Sequence, residues 1–537
     1  MTDATSPATE APERARRPAA RPLRDAAAAA AAIAWLLPLA WLAERFVRHP
    51  NHDVALLLQA GERWLDGQRL YIDLIDVNPP LAIWISALPA ALERVVGLTD
   101  PIGWSMLLTS AAVAGSAAAT LAVLRGRPGG RVAALAALWT LAVLPGDDSG
   151  QREHLVACAV LPYLALASAR MSGRPAGPWG ALLAAACALG ICLKPHFLLV
   201  PLVAELAVVR ARGVRAALRD PAAWAVAAVP PLYAAAALLA EPAYLEVAVP
   251  LALEAYAPLR RGWDEIAFGP LIGPLLPLTL LLAVAAWRWS RDPLVRLAAV
   301  AVPAAEAVAV GQGMGWSYQA LPAAVLAPWA VALLAAEYAR RPCPVATTAA
   351  VRRAVAALLL LIAASGVPDR LALPFSSPAA AGPDPAQRLA ALFRAHADGD
   401  EVLVLSTDVW PFYPAINEAD TEMGMRFFTL WPLAGSYRTC PAAAGAAAPP
   451  FRSPERMDDA ERFVFEGVSE DFARTRPALL VVQTDWRALG CLDRPFDFLA
   501  YFRRHPEFAA TLAGYAPLTA FDNVVVLARR PQVPPGY

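Results

Sequence analysis

The sequence predicts a mainly α-helical, polytopic membrane bundle of about eleven spans, with a large first outer loop and a C-terminal soluble α/β domain. Composition carries the first part. Of 537 residues, 58% are apolar and 17% charged, against about 45–50% and roughly 25% in soluble domains. Mean hydropathy is +0.44. Distribution carries the second part: long apolar runs fill 26–367, while 384–537 have an ordinary soluble balance. The sorting of arginines between the runs carries the third. Collagen, a coiled coil and a wholly disordered chain are excluded. The 46 basic and 46 acidic residues cancel, so no global basic field awaits a nucleic acid.

Residues 1–24, rich in Pro, Ala and Arg, read as a disordered cytoplasmic tail. Ala26 to Val47 is long enough for an uncleaved first span. Arg14, Arg16, Arg17, Arg21 and Arg24 place the N-terminus inside. Residues 48–100 then form the outer loop, and 101–124 return the chain to Arg125, Arg127 and Arg131. Pro80–Leu92 is apolar, yet reading it as a span would put that arginine cluster outside. We therefore read an interfacial or re-entrant segment. Further spans fall near 131–145, 154–170, 178–193, 196–209, 221–240, 267–289, 294–311, 319–338 and 352–367. The arginines at 170/174, 210–219, 288–296 and 340–353 all then lie inside. The bundle domain is thus 25–367, with a linker at 368–383. Short spans around Lys194–Pro195 are the place where two could merge. Glu205 and Glu306 fall within spans, where a charge costs about 2.5–3.5 kcal/mol, so each is expected to be protonated or paired.

Residues 384–537 alternate helix and strand. Gln387–Ala397 reads as helix, Glu401–Ser406 as strand, Ala478–Gln483 as strand, Phe496–Arg504 as helix and Asn523–Arg529 as strand. Their two cysteines, Cys440 and Cys491, are open to either a disulfide or two free thiols. Cys158, Cys187 and Cys192 sit in apolar runs as small core residues. No metal-finger spacing exists. Lys194 is the only lysine, and the Arg-, Ala- and Pro-rich usage is that of a GC-rich bacterial genome.

The first outer loop begins His52-Asp53, and Val54, Leu57, Leu58, Gly61, Trp64 and Leu65 share one helical face. An amphipathic helix along the membrane surface follows, with Gly67 ending it. Asp53 stands where an N-cap carboxylate is favoured, which is its structural alternative. The loop continues Gly67-Gln-Arg-Leu70-Tyr71-Ile-Asp73 and then Asn78-Pro79-Pro80-Leu81. An acidic residue just past the first span, this helix, Gly-x-x-Leu-Tyr-x-Asp and the Pro-Pro-Leu segment resemble the GT-C integral-membrane glycosyltransferases. The protein O-mannosyltransferase and aminoarabinose lipid A transferase relatives have this layout and a soluble domain after the last span. The resemblance implies a polyprenyl-phosphate-linked sugar donor, with Asp53 as the catalytic acid or base and Tyr71 among the donor-binding residues. The chain departs from the pattern twice. It has His52-Asp53 where many relatives have Asp-Glu, and Asn78 where they often have lysine.

The second outer loop, Gly146-Asp147-Asp148-Ser-Gly-Gln151-Arg152-Glu153-His154, is short and very polar. Asp148 and Glu153 are candidates for the second acidic residue that such enzymes place here; a solvated turn with a helix cap is the alternative. Arg152 and His154 suit an anion. Asp53, Asp148 and His154 are also ligand types that suit a divalent cation, a metal reading that rests on residue type alone. Lys194 and His196 end a span on the outer side, against the inside bias, so phosphate contact competes with simple snorkelling. Arg260 and Arg261 form a second phosphate clamp, or else pair with Asp264 or Glu265 at the rim. Trp316 and Tyr318 stack on a sugar or prenyl head, or belong to an aromatic belt.

These residues together predict sugar transfer on the outer face of the bacterial cytoplasmic membrane, to a glycan, lipid or protein acceptor. Asp53 would serve as general base and the cations would hold the leaving phosphate, with inversion at the anomeric carbon. No Gly-rich loop or dinucleotide fingerprint is present, so no nucleotide cofactor is expected. A transporter or flippase for lipid-linked glycans is the rival. It would use mid-membrane charges such as Glu205 and Glu306. A non-catalytic scaffold presenting the C-terminal domain is a third reading.

Overall fold

In the computed structural model, the described residues are 50–340, 384–439, 451–489 and 495–531, with 29, 32–38, 40–42, 491 and 492. The tail, much of the first expected span, the span expected at 352–367, the linker and Cys440 lie outside them. Cys491 is disulfide-bonded, while Cys158, Cys187 and Cys192 are free and buried.

Four Asp-Pro pairs start helices. Asp100, Asp220, Asp292 and Asp384 each accept a first-turn N–H, from Gly103 (2.7 Å), Ala222 (3.0 Å), Leu294 (2.8 Å) and Ala386 (2.9 Å). The proline that follows needs no N–H partner and arrives with helical φ. Along the chain, α1 is His52–Leu65, α2 Pro80–Ser86, α3 Leu88–Val96, α4 Pro101–Val123, α5 Gly130–Val143 and α6 Arg152–Met171. Then come α7 (Gly177–Cys192), α8 (Leu199–Arg212), α9 (Pro221–Ala240), α10 (Leu276–Trp289), α11 (Pro293–Gln312) and α12 (Leu321–Ala339). Among the described residues, α4, α6, α9, α11 and Ser317–Ala339 are the five helices long and apolar enough to cross a membrane. The protein is a multi-pass membrane protein.

α2 and α3 hold only 7 and 9 residues, too short for a hydrocarbon core of about 30 Å, in line with Pro80–Leu92 not being a span. Differences from the expected spans have local causes. The 267–289 run is helical only from Leu276, because Pro270 and Pro274 interrupt its first part. Lys194 keeps α7 and α8 apart: it is extended ahead of Pro195, and a 3-10 turn over Pro195–Leu198 follows. Residues Tyr244–Leu259, for which no helix was expected, form a helical segment with two π turns.

α6 is the central helix, buried over most of its length. The loops after α4, α6 and α8 share one end of the bundle, and the loops after α5, α7 and α11 share the other. At the first end, Arg170 pairs with Glu205 and with Asp220 (3.0 Å), and Arg127 pairs with Asp292. Glu306 accepts from Thr279 Oγ1 at 2.6 Å. Both span glutamates are therefore partnered within the bundle.

The C-terminal domain opens with α13 (Pro385–His396). Its five-stranded sheet comprises β1 (Glu401–Leu405), β2 (Glu422–Met423), β3 (Leu479–Gln483), β4 (Tyr515–Phe521) and β5 (Val524–Arg529), in the order β2-β1-β3-β5-β4. β1 runs parallel to β2 and β3, with Val402 opposite Leu479; β5 is antiparallel to β3 and β4. α14 (Asp459–Thr475) provides the crossover between β2 and β3. β4 and α14 were not expected from the sequence. Of the expected 496–504 helix, only Phe498–Phe502 is helical.

α1 does not lie exposed along a surface. Gly61 sits so close to the α2–α3 junction that a Cβ would meet Ala87 N at 2.5 Å. On its other side, Ala55, Leu56 and Ala60 join the core of the α/β domain. Polar bonds cross the same junction: Gln59 to the Thr421 carbonyl (3.0 Å), Arg63 to the Met425 carbonyl (3.1 Å) and Asn417 to the Ala55 carbonyl (3.0 Å).

Glu62 on this helix feels the junction electrostatically. Burial, then the Asp420 carboxylate, pushes its pKa up to about 7. The folded state thus binds this proton more tightly than the unfolded chain, and stability falls as pH rises from about 4.5 to 7. Glu62→Gln should flatten that part of the stability profile and raise the melting temperature at pH 8 but not at pH 4; melting curves across pH check this.

Candidate active site

The site is built at the start of α1. Asn51, not Asp53, is the N-cap: its Oδ1 accepts from Asp53 N at 2.9 Å and from Gln151 Nε2 at 2.9 Å. Its Nδ2 donates to the Asp147 carbonyl at 3.1 Å. This ties the first and second polar loops together and leaves the Asp53 carboxylate free of capping. Asp53 Oδ2 accepts from Gln151 Nε2 at 3.2 Å and lies 3.7 Å from Arg152 Nη2. His52 Nε2 is 3.7 Å from Oδ1.

Arg152 opens α6 and is 8% exposed. Its Nε and Nη1 are buried and meet no hydrogen-bond acceptor among the described residues. Lys194 Nζ lies 3.2 Å from Glu153 Oε1 and 5.9 Å from the centre of the Tyr318 ring. Burial, then the nearby Arg152 charge, holds the Lys194 pKa below the ordinary lysine range. Asp53, Asp148, Arg152, Lys194 and Tyr318 line one cavity of about 760 Å³ between the bundle and the α/β domain.

Several candidates sit elsewhere. Glu153 is fully buried behind the wall, where it holds Lys194. His154 is fully buried too: Gly150 N donates to its Nδ1 at 3.1 Å, and Nε2 lies 2.9 Å from the Leu141 carbonyl. Both ring nitrogens are occupied by backbone. Tyr71, also buried, donates from its hydroxyl to the Asn78 carbonyl at 2.6 Å and so shapes the loop from behind. His196 is exposed on the 3-10 turn, off the cavity wall. Arg260 Nη2 donates to the Gly311 carbonyl at 2.5 Å. Arg261 lines a smaller cavity of about 420 Å³ that shares Leu259, Trp316 and Leu489 with the main one. Neither arginine pairs with Asp264 or Glu265.

The expected metal set does not converge. Among the described residues no group of three His, Cys, Asp or Glu side chains could hold an ion. With His154 committed to backbone and Asp53 facing Arg152, these donors do not fit a divalent cation.

Among the other lining residues, Asp76, Tyr256 and Trp431 were not foreseen. Asp76 is 7% exposed and accepts from Asn78 N at 2.6 Å. Burial raises its pKa above the ordinary carboxylate range. Its signal in the sequence was only its place between Tyr71 and the Pro-Pro pair. An aromatic ladder runs from Tyr318 to Trp316 (5.6 Å), Tyr256 (5.9 Å) and Trp431 (5.8 Å). It joins the Lys194 end of the cavity to the α/β domain.

No protein-family model matches the chain, and no curated protein matches its sequence. Its structure is similar to the crystal structure of ArnT from Cupriavidus metallidurans bound to undecaprenyl phosphate, with a TM-score of 0.51 and 14% identity. That likeness covers 95% of this chain and 98% of ArnT. The fold is GT-C-like. It accounts for the large loop after the first span and for the α/β domain after the bundle.

Capping and site chemistry are separable here. Asn51→Ala should cost roughly 0.5–2 kcal/mol of stability through loss of the cap, whereas Asp53→Asn should leave the melting temperature nearly unchanged. A larger loss in Asp53→Asn than in Asn51→Ala would return Asp53 to a structural role.

Proposed function

We propose that the chain transfers a sugar from a polyprenyl-phosphate donor to an acceptor at the cavity beneath the α/β domain. The buried Arg152, with its Nε and Nη1 unanswered, carries this reading. Leaving buried donors unmet costs roughly 1–3 kcal/mol each, and more when the group is charged. A phosphate entering from the cavity would answer them, with Lys194 adding a second charge. The ArnT structure, which is bound to undecaprenyl phosphate, supports a prenyl phosphate as that anion. The arginine-rich loops gather at the opposite end of the bundle. The positive-inside rule makes that end cytoplasmic and the cavity extracytoplasmic.

The residues then divide the work. As the acceptor oxygen bonds the anomeric carbon, its proton passes to the Asp53 carboxylate. The bond from that carbon to the phosphate oxygen breaks, and its electron pair leaves with the prenyl phosphate. Arg152 and Lys194 stabilise the charge that develops there. One displacement inverts the anomeric centre. Asp148 lines the same cavity as a second carboxylate. The span glutamates that a transporter would use are tied to Arg170 and Thr279, which gives the flippase reading no support.

With labelled polyprenyl-phosphate sugars and purified protein, Asp53→Asn should cut transfer by about 10²–10⁴-fold while undecaprenyl phosphate still binds. Unchanged transfer would remove Asp53 from the mechanism. Arg152→Gln should instead weaken undecaprenyl phosphate binding by about tenfold or more.

Lys194 makes binding pH-dependent. Its charge is lost at a lower pH than that of an ordinary lysine, so affinity for undecaprenyl phosphate should decline as pH rises. Lys194→Arg keeps its charge and should extend binding to higher pH. Coincident profiles for the two proteins would exclude Lys194 from the phosphate site.

A further inference from the structure

The α/β domain brings chemistry of its own to the cavity, at the point where its topology reverses. From β1 the chain moves to β2 on one side, then crosses by α14 to β3 on the other. The crevice beyond the carboxyl ends of β1 and β3 is therefore the switch point of the parallel part of the sheet, where open α/β sheets bind ligands. Here that crevice opens into the main cavity: Thr407, Asp408 and Trp410 follow β1, Trp486 follows β3, and all four line it.

Its polar groups are set in advance. Gln483, 4% exposed, accepts from Ser406 Oγ at 2.7 Å and donates to Asp408 Oδ2 at 2.7 Å. The same amide reaches Asp485 Oδ1 at 3.2 Å. Asp408 is thereby held through one oxygen, with Oδ1 left to accept from a ligand. Thr407 Oγ1 is buried and without a partner. Trp410 stands beside them, 42% exposed, and Trp486 is braced by stacking on Phe498 at 5.5 Å. Oriented carboxylate and hydroxyl oxygens beside indole rings match a sugar, whose hydroxyls donate and whose C–H face stacks. Two carboxylates, Asp408 and Asp485, disfavour a phosphorylated acceptor. Arg487 lines the same cavity, with its Nη1 donating to the Leu492 carbonyl at 2.8 Å.

We propose that this crevice is the acceptor site and that the acceptor is a carbohydrate chain. The assignment rests on the cavity being a glycosyl-transfer site, and the two can be tested apart. Calorimetric titration of the purified full chain with neutral hexose and pentose tetrasaccharides should show saturable binding. Asp408→Asn, near-isosteric and exposed, should weaken it about tenfold, and Trp410→Ala likewise, with melting temperatures close to wild type. Should Trp410→Ala misfold, Asp408→Asn decides alone. Absence of tetrasaccharide binding, binding indifferent to these substitutions, or binding only of a phosphorylated glycolipid or a peptide overturns the assignment. Undecaprenyl phosphate is titrated into the same preparation. Saccharide binding without it would overturn the transfer reading and leave the crevice a saccharide-binding site only; the reverse would overturn only the crevice.

Discussion

Arg152 is a charge that cannot be neutralised by losing its proton, placed where almost no water reaches it. Burial of such a group is tolerated only with compensation from opposite charge and hydrogen bonds. The compensation here is incomplete. Asp53 stands at 3.7 Å, longer than a hydrogen bond. Glu153, next in sequence, faces Lys194 instead. Asp76 is itself driven toward the protonated form by burial. The surroundings keep the guanidinium in place without satisfying it, and its unmet nitrogens belong to a residue that lines the cavity. Asn51, Gln151 and the loop they join exist in this arrangement to hold Asp53 on one side of that charge.

What could be read from the sequence was mostly a matter of exceptions. Lys194 in an arginine protein, an acid just beyond the first span and a polar loop between apolar runs all pointed to one end of the bundle, and the cavity contains a residue from each. The failures within those motifs are geometric. Residues 152, 153 and 154 are consecutive on one helix, so their side chains leave the axis about 100° apart. At most one or two can face the cavity. The sequence names three polar residues, and the helical phase, set by packing, decides that Arg152 faces the cavity while Glu153 and His154 turn inward. Tyr71 failed for a different reason. It takes a left-handed backbone conformation, φ 64°, which no local pattern announced, and that turn buries its ring. Trp410 and Trp486 could not be associated with Asp53 at all, because the contacts that bring them there span more than 350 positions.

The amphipathic reading of α1 was right about periodicity and wrong about environment. Gln59 and Arg63 count as polar in any pattern, which makes the helix look half-solvated. Both are buried, at 2% and 5% exposure. Their partners in the α/β domain include the Thr421 and Met425 carbonyls, the Tyr413 hydroxyl and the Glu422 carboxylate, so polarity here marks a second protein surface, not water. The side bearing Gly61 packs on the α2–α3 junction, and the side toward the other domain mixes apolar Ala55, Leu56 and Ala60 with the buried Gln59 and Arg63. Composition alone cannot separate these cases, since each buried amide looks the same in sequence as a solvated one.

This double burial matters for chemistry. Displacement at an anomeric carbon needs nucleophile, carbon and leaving oxygen in line, and errors of about 1 Å cost orders of magnitude in rate. In the proposed mechanism the leaving phosphate is held from the bundle, by the start of α6 and the end of α7. The acceptor is held from the crevice beyond β1 and β3. The base belongs to neither body: Asp53 rides on α1, whose Ala55 carbonyl, two residues on, takes a bond from Asn417 and whose cap is bonded to Gln151. One end of the helix is thus referenced to the phosphate loop, and its face to the acceptor domain. A rigid element bonded to both bodies is the economical way to keep a general base in register with two substrates that arrive on different scaffolds.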